Sequence, residues 1–165
     1  MKFLRNPSNG EVFAFPVDGS EDAFIPEGLV VMTAPEIEAH CSPAYQPTRT
    51  DVDTERDRRM DSGIRFKGAT FQSRPADREN ITGAAQLAFM AIVGGAKPGD
   101  LRWSDPEQDF TWIAADNSLV PMDAPTVVEF GKVAAARKQA LIYAARQLKD
   151  KAAIPSDYAD DKWWP

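Results

Sequence analysis

Twice along this chain a strict alternation of apolar and polar residues gives way to a helical spacing. Ile64-Arg65-Phe66-Lys67 and Thr70-Phe71-Gln72-Ser73 alternate about Gly68-Ala69, which predicts a hairpin with Ile64, Phe66 and Phe71 facing a core. From Asp77 to Val93 the residues Ile81, Ala84, Ala85, Ala88, Phe89 and Ile92 then recur on one helical stripe, so all of them, Phe89 included, are expected to be buried. Gly94-Gly95 ends that helix, Pro98-Gly99 opens a loop, and Leu101-Arg102-Trp103 reads as a short strand before Pro106. The change of period then repeats. Phe110 to Ala114 and Ser118 to Met122 pair across Asp116-Asn117 as a second hairpin, with Trp112 in the core and Trp103 either core or rim. Asp123 is a natural N-cap and Pro125 suits a first turn, so a long helix is expected over Ala124 to Lys149. Val127, Val128, Gly131, Ala134, Ala135, Leu141, Ile142, Ala145 and Leu148 make its apolar face, and Lys132, Arg137, Lys138, Arg146 and Lys149 make the opposite side basic.

Ahead of this lies a smaller β unit. Lys2 to Leu4 and Val12 to Phe15 flank Asn6-Pro7-Ser8-Asn9-Gly10, where Asn-Gly supplies the positive φ of a tight turn. A second turn follows at Val17-Asp18-Gly19-Ser20, and Ile25 to Met32 reads as an extended return strand. Thr33 caps a short helix from Ala34 to His40. Residues 42–52 lack apolar periodicity and read as a linker; a short helix from Asp53 to about Asp61 follows and stops at Gly63. The expected fold is therefore α+β: a small β-rich unit over 1–41, a linker over 42–52, a domain of two hairpins each followed by an amphipathic helix over 53–152, and an irregular aromatic tail over 153–165.

Composition narrows the chemistry. With 165 residues, 43% of them hydrophobic, the chain has material for one ordinary core. A net charge of −6 and an isoelectric point near 4.8 disfavour nucleic acid and anionic membranes as partners. The cluster of Arg56, Arg58 and Arg59 is interrupted by Glu55, Asp57 and Asp61, and reads as a solvated face of alternating charge. A single cysteine, Cys41, excludes an internal disulfide and a cysteine metal cage, and points to a reducing compartment. The opening residues supply no apolar secretion signal and no run is long enough to span a membrane, so folding in a cytoplasm is expected.

Candidate chemistry is sparse. His40 and Cys41 are adjacent at a helix end, where neighbours in sequence rarely face one another, and a nucleophilic pair also needs an orienting group. Asp100, Asp105, Glu107 and Asp109 crowd one loop without the spacing of a calcium loop; Gly94-Gly95 follows a helix instead of opening one, which is the wrong order for a phosphate cradle. No catalytic residue, cofactor or metal is expected. Trp163 and Trp164 are expected either to fold back as a latch on the last helix, the reading adopted here, or to anchor another chain. Because a small sheet gains by adding strands to a partner, Phe3, Val12, Phe13, Phe15, Leu29 and Val31 join the two tryptophans as candidate partner-binding residues.

Two stretches resemble known families. Met1-Lys2-Phe3, Asn6-Pro7, Asn9-Gly10-Glu11-Val12-Phe13-Ala14-Phe15, Ile25-Pro26-Glu27-Gly28-Leu29-Val30 and Glu36-Ile37-Glu38-Ala39-His40 resemble the opening of tail fibre assembly chaperones and related small tail proteins of tailed bacteriophages. The chaperones' C-terminal portion has no clear counterpart in this chain. Asp57-Arg58-Arg59, Phe71-Gln72-Ser73-Arg74-Pro75, Asp77 to Ile81, Ala115-Asp116-Asn117, Pro121 to Ala124 and Ala144-Ala145-Arg146 look like a phage and prophage domain of unknown function, similar to ones found beside tail fibre genes; the ending Asp160-Asp161-Lys162-Trp163-Trp164-Pro165 is typical of its alphaproteobacterial members. The resemblance implies a non-enzymatic protein that binds a phage tail fibre or spike, as assembly chaperone or retained subunit, in the host cytoplasm during assembly and, as a subunit, in the virion tail. The alternatives are a glycan-degrading enzyme using two of the loop carboxylates as acid and base, and a small regulatory or anti-host interaction module.

Overall fold

The computed structural model describes residues 1–42 and 45–165, and the chain divides into two compact units, Met1–Tyr45 and Gln46–Pro165. Their architecture is the expected α+β one. The expected linker, 42–52, includes Pro43 and Ala44, which lie outside the described residues.

In the first unit β1 (Lys2–Arg5) is the middle strand of an antiparallel sheet, with β2 (Val12–Phe15) on one side and β3 (Val30–Val31) on the other. The β1–β2 turn is closed by Asn6, whose carbonyl accepts the Gly10 N–H at 2.8 Å and whose N–H donates to Glu11. Only Val30 and Val31 of the expected strand from Ile25 to Met32 join the sheet, since the chain turns at Glu27-Gly28, where Gly28 has φ +88; Met32 still donates its N–H to Phe3 at 2.9 Å. Helix α1 (Ala34–Cys41) starts where Thr33 predicts, and the Glu36 carboxylate accepts both the N–H and the hydroxyl of Thr33. Among the described residues Leu4 and Met32 are the buried hydrophobics of this unit, a very small core.

The second unit begins with α2 (Arg49–Asp61), four residues before the expected start. Thr48 caps it, with the Asp51 carboxylate 2.7 Å from the Thr48 N–H and the Asp51 N–H donating back to the Thr48 hydroxyl. Gly63 follows at φ +104, and a β-carbon there would lie 3.0 Å from the Phe71 carbonyl oxygen, so a side chain would be strained twice over. The first hairpin pairs β4 (Ile64–Phe66) with β5 (Ala69–Phe71). Its turn is Lys67-Gly68, one residue earlier than the alternation suggests, and both residues have the positive φ that a two-residue turn of this hand requires. Ser73, fully buried, donates its hydroxyl to the Met60 carbonyl and accepts the Gly63 N–H at 3.1 Å, pinning the hairpin to the end of α2.

Helix α3 (Pro75–Val93) begins two residues before the expected Asp77, because proline is tolerated in a first turn. The expected strand at Leu101–Trp103 is absent and the segment is a run of turns, although the Trp103 indole N–H reaches the Met122 carbonyl at 3.0 Å. The second hairpin pairs β6 (Thr111–Ile113) with β7 (Leu119–Pro121), and the Ala115 N–H donates to Thr70, tying the two hairpins together. Helix α4 (Ala124–Lys149) has the bounds its cap and proline predict.

Helix α4 serves two apolar clusters. Its first half places Phe130 at the centre of an aromatic group, 5.2 Å from Phe66, 4.8 Å from Phe71 and 5.5 Å edge-on from Trp112. Ile81 and Ala88 of α3 close this cluster from the helical side. Its second half packs Leu141, Ala145 and Leu148 against Val52 and Met60 of α2 and against Trp164. The helices approach closely where Gly131 meets Ala85: a β-carbon on Gly131 would lie 2.6 Å from that of Ala85.

Candidate functional site

Register determines what the small sheet displays. Leu4 faces Phe13 on one side and Val31 on the other, and Arg5 likewise sits between Val12 and Val30. Side chains directly opposite one another share a face, so Phe13 and Val31 flank buried Leu4 while Val12 lies with Val30 on the reverse. Of the residues singled out in the sequence, Phe3, Val12, Phe13, Phe15 and Leu29 are half-buried and Val31 is exposed. Phe24 and Val30, exposed as well, escape the sequence reading because they fall within or beside a segment read as a uniform strand. Among the described residues β2 pairs with β1 alone, which leaves its outer backbone edge without a strand.

The tail is placed differently. Trp164 is only 7% exposed, lies in the cluster with Leu141, Ala145 and Leu148, and donates its indole N–H to the Tyr158 carbonyl at 2.8 Å. Trp163 is half-buried between the ammonium groups of Lys151 and Lys162 and donates to the Asp157 carboxylate at 3.0 Å. The Trp164 side chain is thus covered by its own chain. Part of the expected solvated arginine face holds it down: the Arg59 guanidinium lies 5.3 Å from the Trp164 ring, contacts Asp161 at 2.8 Å, and shares with Arg58 the carboxylate of Glu55. At 8% exposure Glu55 is not a solvated residue, and the Arg58 hydrogen bonds, followed by those of Arg59, hold its carboxyl below the usual range despite burial. Nor is the far side of α4 uniformly solvent-facing. Arg137 donates to the Arg59 carbonyl at 2.8 Å, and Lys149 pairs with Asp53 of α2 at 2.6 Å.

The loop carboxylates are exposed and tied to their own loop. Asp100 accepts the Arg102 N–H, Asp109 pairs with the Arg102 guanidinium at 3.0 Å, and Asp105 accepts the Glu107 N–H. His40 and Cys41 are exposed at the end of α1. Among the described residues no group of three or more His, Cys, Asp or Glu could hold a metal ion, and no helix is long and apolar enough to cross a membrane.

One concave surface is not foreshadowed by the sequence. Between α3 and α4 runs an open groove of about 610 Å³ lined by Thr82, Ala85, Gln86, Phe89, Met90, Val128, Gly131, Lys132 and Ala135. Phe89, expected in the core, is 58% exposed here, and Met90 and Val93 beside it are more exposed still. The stripe that contains Phe89 is wider than the surface the hairpins cover. Ile81 and Ala88 face inward, and a residue displaced by one helical position from them turns out.

A family model described as Domain of unknown function (DUF4376) matches residues 43–162, well over half of the chain. The chain belongs to the DUF4376 family. In this member the matched stretch contains α2, both hairpins, α3, α4 and most of the tail, and it stops just before Trp163. No curated protein and no solved structure matches the chain.

Proposed function

We propose that this DUF4376 protein is a non-enzymatic tail-associated protein of a tailed bacteriophage, which binds a tail fibre or spike as an assembly chaperone or a retained subunit. The observation that carries the reading is the first unit: among the described residues it has a three-stranded sheet, Leu4 and Met32 as its buried hydrophobics, no strand on the outer edge of β2, and exposed Phe24, Val30 and Val31. A sheet so small is stabilised by whatever adds strands or apolar surface to it. The resemblance of this segment to the opening of tail fibre assembly chaperones supports a fibre or spike as the partner and the host cytoplasm as the site of assembly.

Co-expression with the fibre or spike protein encoded beside it, followed by pull-down, tests the reading. The full chain is expected to bring the fibre down. A variant lacking Met1 to Cys41, or one carrying Val30→Asp with Val31→Asp on the exposed strand, is expected to lose it while remaining soluble. No complex with any tail component overturns the proposal, and retained binding by the deletion moves the interface to the second unit.

A further inference from the structure

The groove between α3 and α4 lies in the second unit and belongs to no part of the proposed sheet interface. Its floor is apolar: Phe89 and Met90 on one helix and Val128 and Ala135 on the other, with Gly131 and Ala85 in close contact between them. Its charge is opposite to that of the molecule. Lys132 and Lys138, both exposed, stand along the α4 side of this face, and among the described residues neither takes part in an ion pair. The other cation there, Arg78, is paired with Asp61 at 2.6 Å, and among the described residues Glu79, close to the groove, has a carboxylate outside any ion pair. A chain of net charge −6 therefore presents an apolar trough with an excess of positive charge on its rim. Its lining on α3 runs from Thr82 to Met90, about 12 Å of helix, room for about two turns of a partner helix.

We infer that this groove seats an amphipathic helix of another protein, one whose apolar stripe is flanked by acidic residues. Apolar anchors three and four residues apart would lie on Phe89, Met90 and Val128, while the flanking carboxylates meet Lys132 and Lys138. A second copy of this chain is the poorer occupant, because a two-fold pairing of the same face sets an uncompensated lysine rim against itself. The inference does not rest on the fibre reading and survives its failure.

The test uses the full chain and a fluorescein-labelled synthetic helix with Leu and Ala at the apolar heptad positions and Glu at the flanks. Its control has every Glu replaced by Lys. The acidic peptide is expected to bind saturably and the basic one not. Phe89→Ser and Ala135→Glu, both at exposed positions, are each expected to weaken binding about tenfold or more with unchanged circular dichroism, a loss of at least about 1.4 kcal/mol. Lys132→Glu with Lys138→Glu is expected to reverse the preference between the peptides. Equal binding of both peptides, no binding of either, or acidic-peptide binding indifferent to Phe89→Ser and Ala135→Glu overturns the inference. So does a dimer in sedimentation that Phe89→Ser dissociates, which assigns the groove to a second copy. Binding to phosphatidylcholine–phosphatidylserine vesicles that Phe89→Ser abolishes likewise overturns it in favour of a lipid surface.

Discussion

Gly131 illustrates how one atom decides a helix pair. Glycine inside a helix is unfavourable by about 1 kcal/mol relative to alanine, so Gly131→Ala gains that amount from the helix itself. The new β-carbon, however, would stand 2.6 Å from that of Ala85, and relieving such overpacking costs about 1–3 kcal/mol. Net destabilisation is expected in thermal unfolding, and Ala85→Gly added to the same protein should recover most of it. Phe130 and Phe89 give a second contrast between residues of one type. Phe130, fully buried among Phe66, Phe71 and Trp112, should lose about 3–5 kcal/mol on replacement by Ala, whereas exposed Phe89→Ala should stay within about 0.5 kcal/mol. Denaturant titration of the two variants separates them. Glu55 ties stability to pH. Its carboxyl is held below the ordinary range in the folded protein by Arg58 and Arg59, so the folded state keeps the carboxylate where the unfolded chain takes up a proton. Its contribution is complete above the unfolded value of about 4.3 and is lost as pH falls through the folded value. Melting temperature measured across that acid range should therefore fall less steeply in Glu55→Gln than in the wild type.

At the scale of elements, the tail behaves as a structural part of the second unit. Truncation after Asp161 removes Trp164 from the cluster of Leu141, Ala145 and Leu148 and exposes the guanidinium of Arg59, and should lower the melting temperature. A truncated protein with an unchanged melting point would show that this packing contributes nothing. What the sequence discloses about elements follows from how local their signals are. Helix α4 is legible to the residue because Asp123, Pro125 and an unbroken apolar face all act within the helix. The start of α2 is missed for want of apolar periodicity, although Thr48 followed three residues later by Asp51 is itself a capping signal. The turn at Lys67-Gly68 is displaced by one residue because alternation fixes the period but not which residues accept a positive φ. The groove is not legible at all. Whether Phe89 points inward depends on how far around α3 the two hairpins reach, and that distance is set by residues some 20 to 40 positions away.

For the whole molecule, the two units differ in kind. The second contains both extended clusters, so residues 46–165 alone should unfold cooperatively in calorimetry. The first, with Leu4 and Met32 as its buried hydrophobics, should show no cooperative transition when isolated. A fragment 46–165 that melts without a peak would mean that the smaller unit is needed to complete the larger. The double duty of α4 also governs the order in which the protein can mature on the ribosome. Everything the hairpins and α3 require is already translated by Met122 except the helix that carries Phe130, and α2, made earlier still, waits for Leu141, Ala145 and Leu148. Synthesis runs at about 5–20 residues per second, so most of the second unit is held unsealed for several seconds. It closes almost at once when α4 emerges, and Trp164 is the last piece to enter; a nascent chain interrupted before that helix keeps its apolar surface in view of chaperones and proteases, and only a chain translated through the tail escapes them.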